Sequence, residues 1–275
     1  MKIKKKNQKT IVTFILTILA ILIYYYVTDI VIPSYSKEND IVYTIPEGEL
    51  IVEYIDVGQA DCIFISSNGH NALIDAGNED DGIKLVNYFK QLGINNFDFV
   101  MGTHPHEDHI GGVPYLFDVI ENVPIYTTPL TAAMAEVKLA KGGRLSRTEM
   151  IVKQAGDCFE AGPFHVELFH MSHSIPDNVG VAIETPAGLI VMSGDYKFDQ
   201  TPIDHWPSDF AKLAELGKRG VLALLSDSSN AERPGNTPSE MEINRNFEEV
   251  FSTAKGRIII SSFASDRKST RLNSS

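Results

Sequence analysis

The stretch "MGTHPHEDHIGG" at residues 101–112 constrains this chain more than any other. It sets three histidines and an aspartate within six positions: His104, His106, Asp108 and His109. Alternate residues of an extended segment share a face, so His104 and His106 point the same way as the chain leaves the apolar run "FDFVMGT". Asp108 and His109 follow where the chain turns towards a helix, and they face a second point nearby. Imidazole and carboxylate donors at this spacing suit Zn²⁺ or Mn²⁺. Two such ions about 3.5–4 Å apart can activate water for in-line attack. A chance surface cluster accounts for one or two histidines but accounts poorly for H-x-H-x-D-H.

The surroundings of the motif read as a layered fold. "LIVEYIDVGQADCIFISSNGHNALIDAG" has apolar runs at 50–57, 62–67 and 72–75 broken by Gly, Asn and Ser, which predicts a strand meander. In "DGIKLVNYFKQLGI" the apolar positions Ile83, Val86, Phe89 and Leu92, closed by Gly93, predict an amphipathic helix. Strand-like runs recur at 164–169, 179–185, 188–193 and 221–226, with helical segments at 130–141 and 208–218. "TPSE" predicts a capping box, with Thr237 as cap, Pro238 in the first turn and Glu240 reaching back. Strands and helices alternate irregularly and without a repeat, so the expected class is α/β with mixed sheets.

The net charge of −12 argues against a broad basic face for non-specific nucleic-acid binding, yet leaves room for a nuclease that holds phosphates through metal ions. Cys62 and Cys158 form no C-x-x-C pair, so no thiolate metal site is expected. At the start, five lysines precede an uncharged run from Ile11 to Thr28, with Tyr24, Tyr25 and Tyr26 near its end. That pattern predicts a single-pass membrane anchor through residues 11–32, with residues 33–48 as a stalk and the rest of the chain extracellular.

H-x-H-x-D-H followed by "IGG" resembles the signature of the metallo-β-lactamase-fold hydrolases. His173 in "MSHSIPDNVG" and Asp195 in "VMSGDYKFD" are similar to that family's later ligands. The resemblance implies an αββα sandwich of mixed sheets. It also implies that His104, His106 and His173 hold one Zn²⁺, that Asp108 and His109 hold a second, and that Asp195 bridges them. Mn²⁺ is the alternative ion. Asp108 and Asp195 are then the catalytic carboxylates, and Asp75 in "LIDAG" resembles the family's buried aspartate that orients the histidine loop.

The chain resembles two branches of that family. "IDVGQADCIFI", "NALIDAG" and "LGINNFDFVMGTHPHEDHIGG", within 50–112, resemble the extracellular hydrolase domain of the ComEC competence protein, with Ala60 where glycine is usual. "VPIYTTPLTAAMAEVKL", "FHVELFHMSHSIPDNVGVAIETPAGLIVMSGDYKFDQTPID" and "LLSDSSNAERPGNTPSE", within 113–265, resemble bacterial ribonuclease J. Residues 266–275, "DRKSTRLNSS", resemble translated adapter sequence. The expectation is therefore a chimera: a metallo-β-lactamase domain at 49–226, a truncated β-CASP domain opening at 227–265 with Asp227 as its first acidic motif, and an artefactual tail. The ribonuclease J resemblance implies two-metal hydrolysis of single-stranded RNA. It also implies impairment by truncation, because a further downstream histidine would complete the second metal site, and no ribonuclease J-like oligomer. The alternatives are a ComEC-like hydrolase acting on DNA, or an inactive metal-binding fragment. If the N-terminal part is artefactual, a cytoplasmic location replaces the membrane one.

Overall fold

The computed structural model describes residue 18 and residues 49–118, 120, 123–141, 143–229 and 231–259. The fold described below lies within the compact unit of residues 45–90 and 94–275.

The predicted meander is present as β1 (Leu50–Tyr54), β2 (Ile63–Ser67) and β3 (His70–Ile74), paired antiparallel. Ser67 pairs with His70, so Asn68 and Gly69 alone make the turn, and both have positive φ, at 53° and 81°. Asn-Gly tolerates that left-handed pair and so selects the tight hairpin. Beyond β3 the sheet continues in parallel through β4 (Phe99–Gly102), β5 (Pro124–Thr127) and β6 (Glu149–Val152). A second sheet has the order β11-β10-β9-β8-β7, built from β7 (Cys158–Ala161), β8 (Phe164–His170), β9 (Val179–Thr185), β10 (Gly188–Met192) and β11 (Val221–Leu225). Only β10 and β11 pair in parallel there.

The helices are α1 (Gly82–Gln91), α2 (Glu107–Ile110), α3 (Val113–Leu116), α4 (Pro129–Lys141), α5 (Phe210–Arg219) and α6 (Glu240–Thr253). Alternation along the strands sends one set of side chains between the sheets and the other outward. Ile65, Ile74, Phe99 and Met101 of the first sheet meet Phe164, Val166, Leu168, Val181 and Ile190 of the second in the central core. The Phe99 ring stands edge-on to Tyr126, Phe159 and Phe164, and each such fully buried side chain is worth about 1.5–3 kcal/mol. On the outer face of the first sheet Phe64 packs on Phe89 of α1. On the outer face of the second, Leu213 and Leu216 of α5 cover Phe169, Ala182 and Val191. The α/β expectation with mixed sheets in helix–sheet–sheet–helix layers therefore holds.

Several expectations need correction. The buried face of α1 is Leu85, Val86 and Phe89, while Ile83 is 65% exposed, because the i, i+4 pair Leu85–Phe89 sets the stripe. The capping box at Thr237 gives way to a later start: Ser239 is the N-cap of α6 and its hydroxyl accepts from the Met241 amide. Asp199 takes the Glu240 amide, so a long-range carboxylate replaces the local partner. Strands β5, β6 and β7 had no sequence expectation; each has four residues, too few for a clear alternation.

The single-pass extracellular placement is also overturned. Among the described residues no helix is long and apolar enough to cross a membrane. The longest, α6, has 14 residues, is rich in glutamate and spans about 21 Å against the roughly 30 Å of a bilayer core. The anchor at 11–32, apart from Ile18, and the stalk at 33–48 lie outside the described residues, as does the tail at 266–275.

Candidate metal centre

The site forms where β3, β4, β8, β10 and β11 run out at one end of the two sheets. β4 ends at Gly102, and the chain continues through Thr103 to His104, His106 and the short helix α2. β3 ends at Ile74, and Asp75 then adopts a left-handed φ of 57° that turns its carboxylate under the histidine loop. There Asp75 accepts three hydrogen bonds: from the Thr103 amide (2.9 Å), the Thr103 hydroxyl (2.7 Å) and Nδ1 of His109 (2.8 Å). The Thr103 hydroxyl lies 3.1 Å from Nδ1 of His104, so a proton on that nitrogen passes the chain of hydrogen bonds back to Asp75. Both links leave Nε2 of His104 and His109 directed into the site.

The remaining groups arrive on the second sheet. His173 follows β8, and Asp195 follows β10 after a turn in which Gly194 has φ of 57°. The two loops are tied by Asn178, fully buried, whose side-chain amide donates to the Met171 carbonyl (2.9 Å) and the Asp195 carbonyl (2.7 Å). One donor set is His104, His106, His173 and Asp195, and a second is Asp61, His109 and Asp195; within each, the ligand atoms all lie within 4.8 Å of one another. Asp195 divides its oxygens between them. Oδ2 stands 3.8 Å from His104 Nε2 and 3.5 Å from His173 Nε2, and Oδ1 stands 3.6 Å from His109 Nε2. Nε2 of His104 is 3.0 Å from Nδ1 of His106.

Burial and neighbouring charges set the protonation of these groups. Burial, and after it the neighbouring imidazoles His109, His173 and His106, holds His104 well below the usual histidine range. Burial likewise brings His173 down to about 4 against the opposing pull of Asp195, so both rings are neutral at pH 7 with lone pairs to offer. His109 is opposite: burial would lower it, but Asp75 and Asp195 together raise it well above the usual value. Burial pushes Asp195 up, but the hydrogen bond and charge of His109 outweigh it and keep the carboxyl low. Burial, reinforced by Asp75, Asp195 and Asp227, raises Asp61 to about 6 although His109 acts the other way. Three imidazoles with a carboxylate, beside one imidazole with two carboxylates, form donor sets that fit Zn²⁺ or Mn²⁺.

The structure thus brings together His104, His106, His109, His173 and Asp195, with Asp75 behind them. Asp108 stands in neither donor set; it is partly buried on α2, and its backbone carbonyl accepts from the Asp61 amide at 3.1 Å. Asp227 follows β11 and lines the clefts on both sides of the site; its carboxylate accepts from the amide and hydroxyl of Ser229 and from the Tyr196 amide at 3.4 Å. Sequence reasoning missed Asp61 and Asn178. The signal for Asp61 was an acidic residue lodged directly before the buried run that begins at Cys62. Asn178 carried no signal, because its role exists only once β8 and β10 lie on either side of β9.

Comparison with known proteins agrees with this geometry. Residues 55–217 match the family model described as "Metallo-beta-lactamase superfamily". The chain is 47% identical over 169 residues to a protein named Ribonuclease J from Thermus thermophilus, covering 59% of this chain and 30% of that protein. It is 39% identical over 219 residues to Ribonuclease J from Synechocystis sp., covering 76% of this chain and 34% of the relative. The chain thus matches only about a third of the length of these relatives. The second match is longer than residues 113–275, so the likeness to ribonuclease J extends to the N-terminal side of residue 113. A crystal structure of a protein of unknown function from Enterococcus faecalis shares the fold, with a TM-score of 0.58 and 18% identity over 81% of this chain and 62% of that one. The ComEC resemblance gains no support from these relatives.

Proposed function

The chain belongs to the metallo-beta-lactamase superfamily, and from that premise we propose that it hydrolyses phosphodiester bonds of single-stranded RNA with two bound metal ions. The observation that carries the reading is Asp195, with one carboxylate oxygen facing the His104–His173 side and the other facing His109. Zn²⁺ or Mn²⁺ bound there would supply Lewis-acid activation of water and of the scissile phosphate. The chain's own residues do the rest. His104, His106 and His173 would hold the first ion and His109 the second, where the family likeness adds Asp108; Asp195, kept ionised by its neighbours, would serve both. Asp75 fixes the rings of His109 and, through Thr103, of His104, so that little reorganisation is needed as charge develops.

The RNA assignment rests on the ribonuclease J relatives and on the cleft beside the site. Its volume is about 870 Å³, and its lining includes His173, Asp195, Tyr196, Lys197, Phe198 and Asn236. Phe198 is 55% exposed and offers a stacking face for a base, and Lys197 offers a cation for a phosphate. We assign 49–226 to the metallo-β-lactamase domain and 227–265 to the opening of a β-CASP domain, with Asp227 at its start.

The test is cleavage of matched single-stranded RNA and DNA by the purified chain with added Zn²⁺ or Mn²⁺. RNA cleavage that disappears in chelator and in His106→Ala is expected. Faster cleavage of DNA would favour the ComEC-like alternative. Silence on both substrates by a metal-loaded chain would leave an inactive metal-binding fragment.

A further inference from the structure

We propose that Asp61 is a ligand of the second metal position, closing it together with His109 and Asp195. The inference rests on the two-ion reading and adds to it a residue from outside the histidine motif.

Three observations carry it. First, an oxygen of the Asp61 carboxylate lies within 4.8 Å of the ligand atoms of both His109 and Asp195. Second, the backbone of Asp61 is held from two sides: its amide donates to the Asp108 carbonyl (3.1 Å) and its carbonyl accepts from the Gly77 amide (2.9 Å). Those bonds tie the loop before β2 to α2 and to the turn after β3, the same two elements that carry His109 and its partner Asp75. Third, the carboxylate accepts no hydrogen bond from any described residue, although it is partly buried beside Asp75, Asp195 and Asp227.

A carboxylate withdrawn from water among other carboxylates, with the His109 imidazolium opposing them but no lysine or arginine against it, is unfavourable by itself. A divalent ion in front of His109 reverses the sign of that term, because it turns the crowding of anions into coordination. With the Asp108 of the two-ion reading, the resulting set of one imidazole and three carboxylates is richer in oxygen than the His104–His106–His173–Asp195 set. The second position should therefore favour Mn²⁺ relative to Zn²⁺ more than the first does.

The experiment is equilibrium dialysis of the full chain with Mn²⁺ and, separately, Zn²⁺, reading ions bound per chain, for the parent, Asp61→Asn and Asp61→Glu. Denaturant unfolding of each metal-free protein accompanies it. The parent is expected to bind two ions. Asp61→Asn should retain the first with unchanged affinity and weaken the second by more than about tenfold. Its metal-free form should be at least as stable as the parent, since a repelled charge has been removed. Asp61→Glu should recover part of the second ion. Two ions bound with parental affinity by Asp61→Asn would overturn the proposal. So would a metal-free Asp61→Asn much less stable than the parent, which would mark Asp61 as a structural carboxylate. A parent that binds a single ion would instead bring down the two-ion reading, and the proposal with it.

Discussion

Replacing Asp75 by asparagine tests the logic of the site more sharply than removing a ligand. Asparagine is the substitution that isolates hydrogen bonding, because position 75 has a left-handed φ of 57°, which asparagine tolerates and alanine does not. Asp75 is 2% exposed, and its two oxygens accept from the Thr103 amide on one side and from the Thr103 hydroxyl and His109 Nδ1 on the other. An asparagine has one carbonyl oxygen for these two sides. With that oxygen towards the Thr103 amide, its NH₂ confronts the protonated Nδ1 of His109. With the oxygen turned towards His109, the NH₂ confronts the Thr103 amide. Either orientation leaves a buried donor without an acceptor, which costs about 1–3 kcal/mol. The His109 ring also loses the carboxylate that orients it, and losses of 10–100-fold in metal affinity are typical of that change. Urea unfolding of the metal-free protein and calorimetric titration with Zn²⁺ measure the two effects. If Asp75→Asn unfolds within about 0.5 kcal/mol of the parent and binds metal with parental affinity, Asp75 does not organise the site and the argument fails.

Two further predictions concern packing and pH. Gly112 has ordinary helical dihedrals, but a Cβ there would lie 2.0 Å from the Ala76 carbonyl oxygen, where the Gly112 amide bonds Gly77 and the Ala76 amide bonds His109. Gly112→Ala should lose about 1–3 kcal/mol in urea unfolding and weaken metal binding. Gly217→Ala, on α5 with open space around it, should be neutral or stabilising by up to about 1 kcal/mol; equal effects from the two would refute the steric reading. Glu167 ties β8 to α5: burial raises its carboxyl, but hydrogen bonds from Lys212 and Arg219, both 2.6 Å, outweigh this and hold it below its ordinary value of 4.5. A carboxylate with a depressed folded pKa contributes above the unfolded pKa and loses that contribution as pH falls through the folded one. The stability gap between the parent and Glu167→Gln should therefore be at most about 1 kcal/mol at neutral pH and close between roughly pH 5 and pH 3. A gap that widens on acidification would contradict the assignment.

What could be read without the structure was set by short-range rules. Strand alternation, the Gly, Asn and Ser breaks of the meander and the spacing of His104, His106 and His109 depend on dihedral preferences and on which way neighbouring side chains point. These need only a few consecutive residues. The order of His173 and Asp195 after the motif added the likeness to a metal-binding family. Where local rules misled, a distant partner had intervened. Ser239 and Asp199 took over the start of α6 from Thr237, and the packing of α1 chose Leu85 over Ile83.

Tertiary structure alone decided the division of donors. Asp61 and His109 lie 48 residues apart in the sequence, and only the pairing of the loop before β2 with α2 and the turn after β3 brings them together. Asn178 became a clamp only when β8 and β10 were laid on either side of β9. A sequence motif names donors that are neighbours along the chain. A metal site is closed by donors that are neighbours in space, and which ones arrive is fixed by sheet order and by backbone hydrogen bonds between loops that carry no local mark of their meeting.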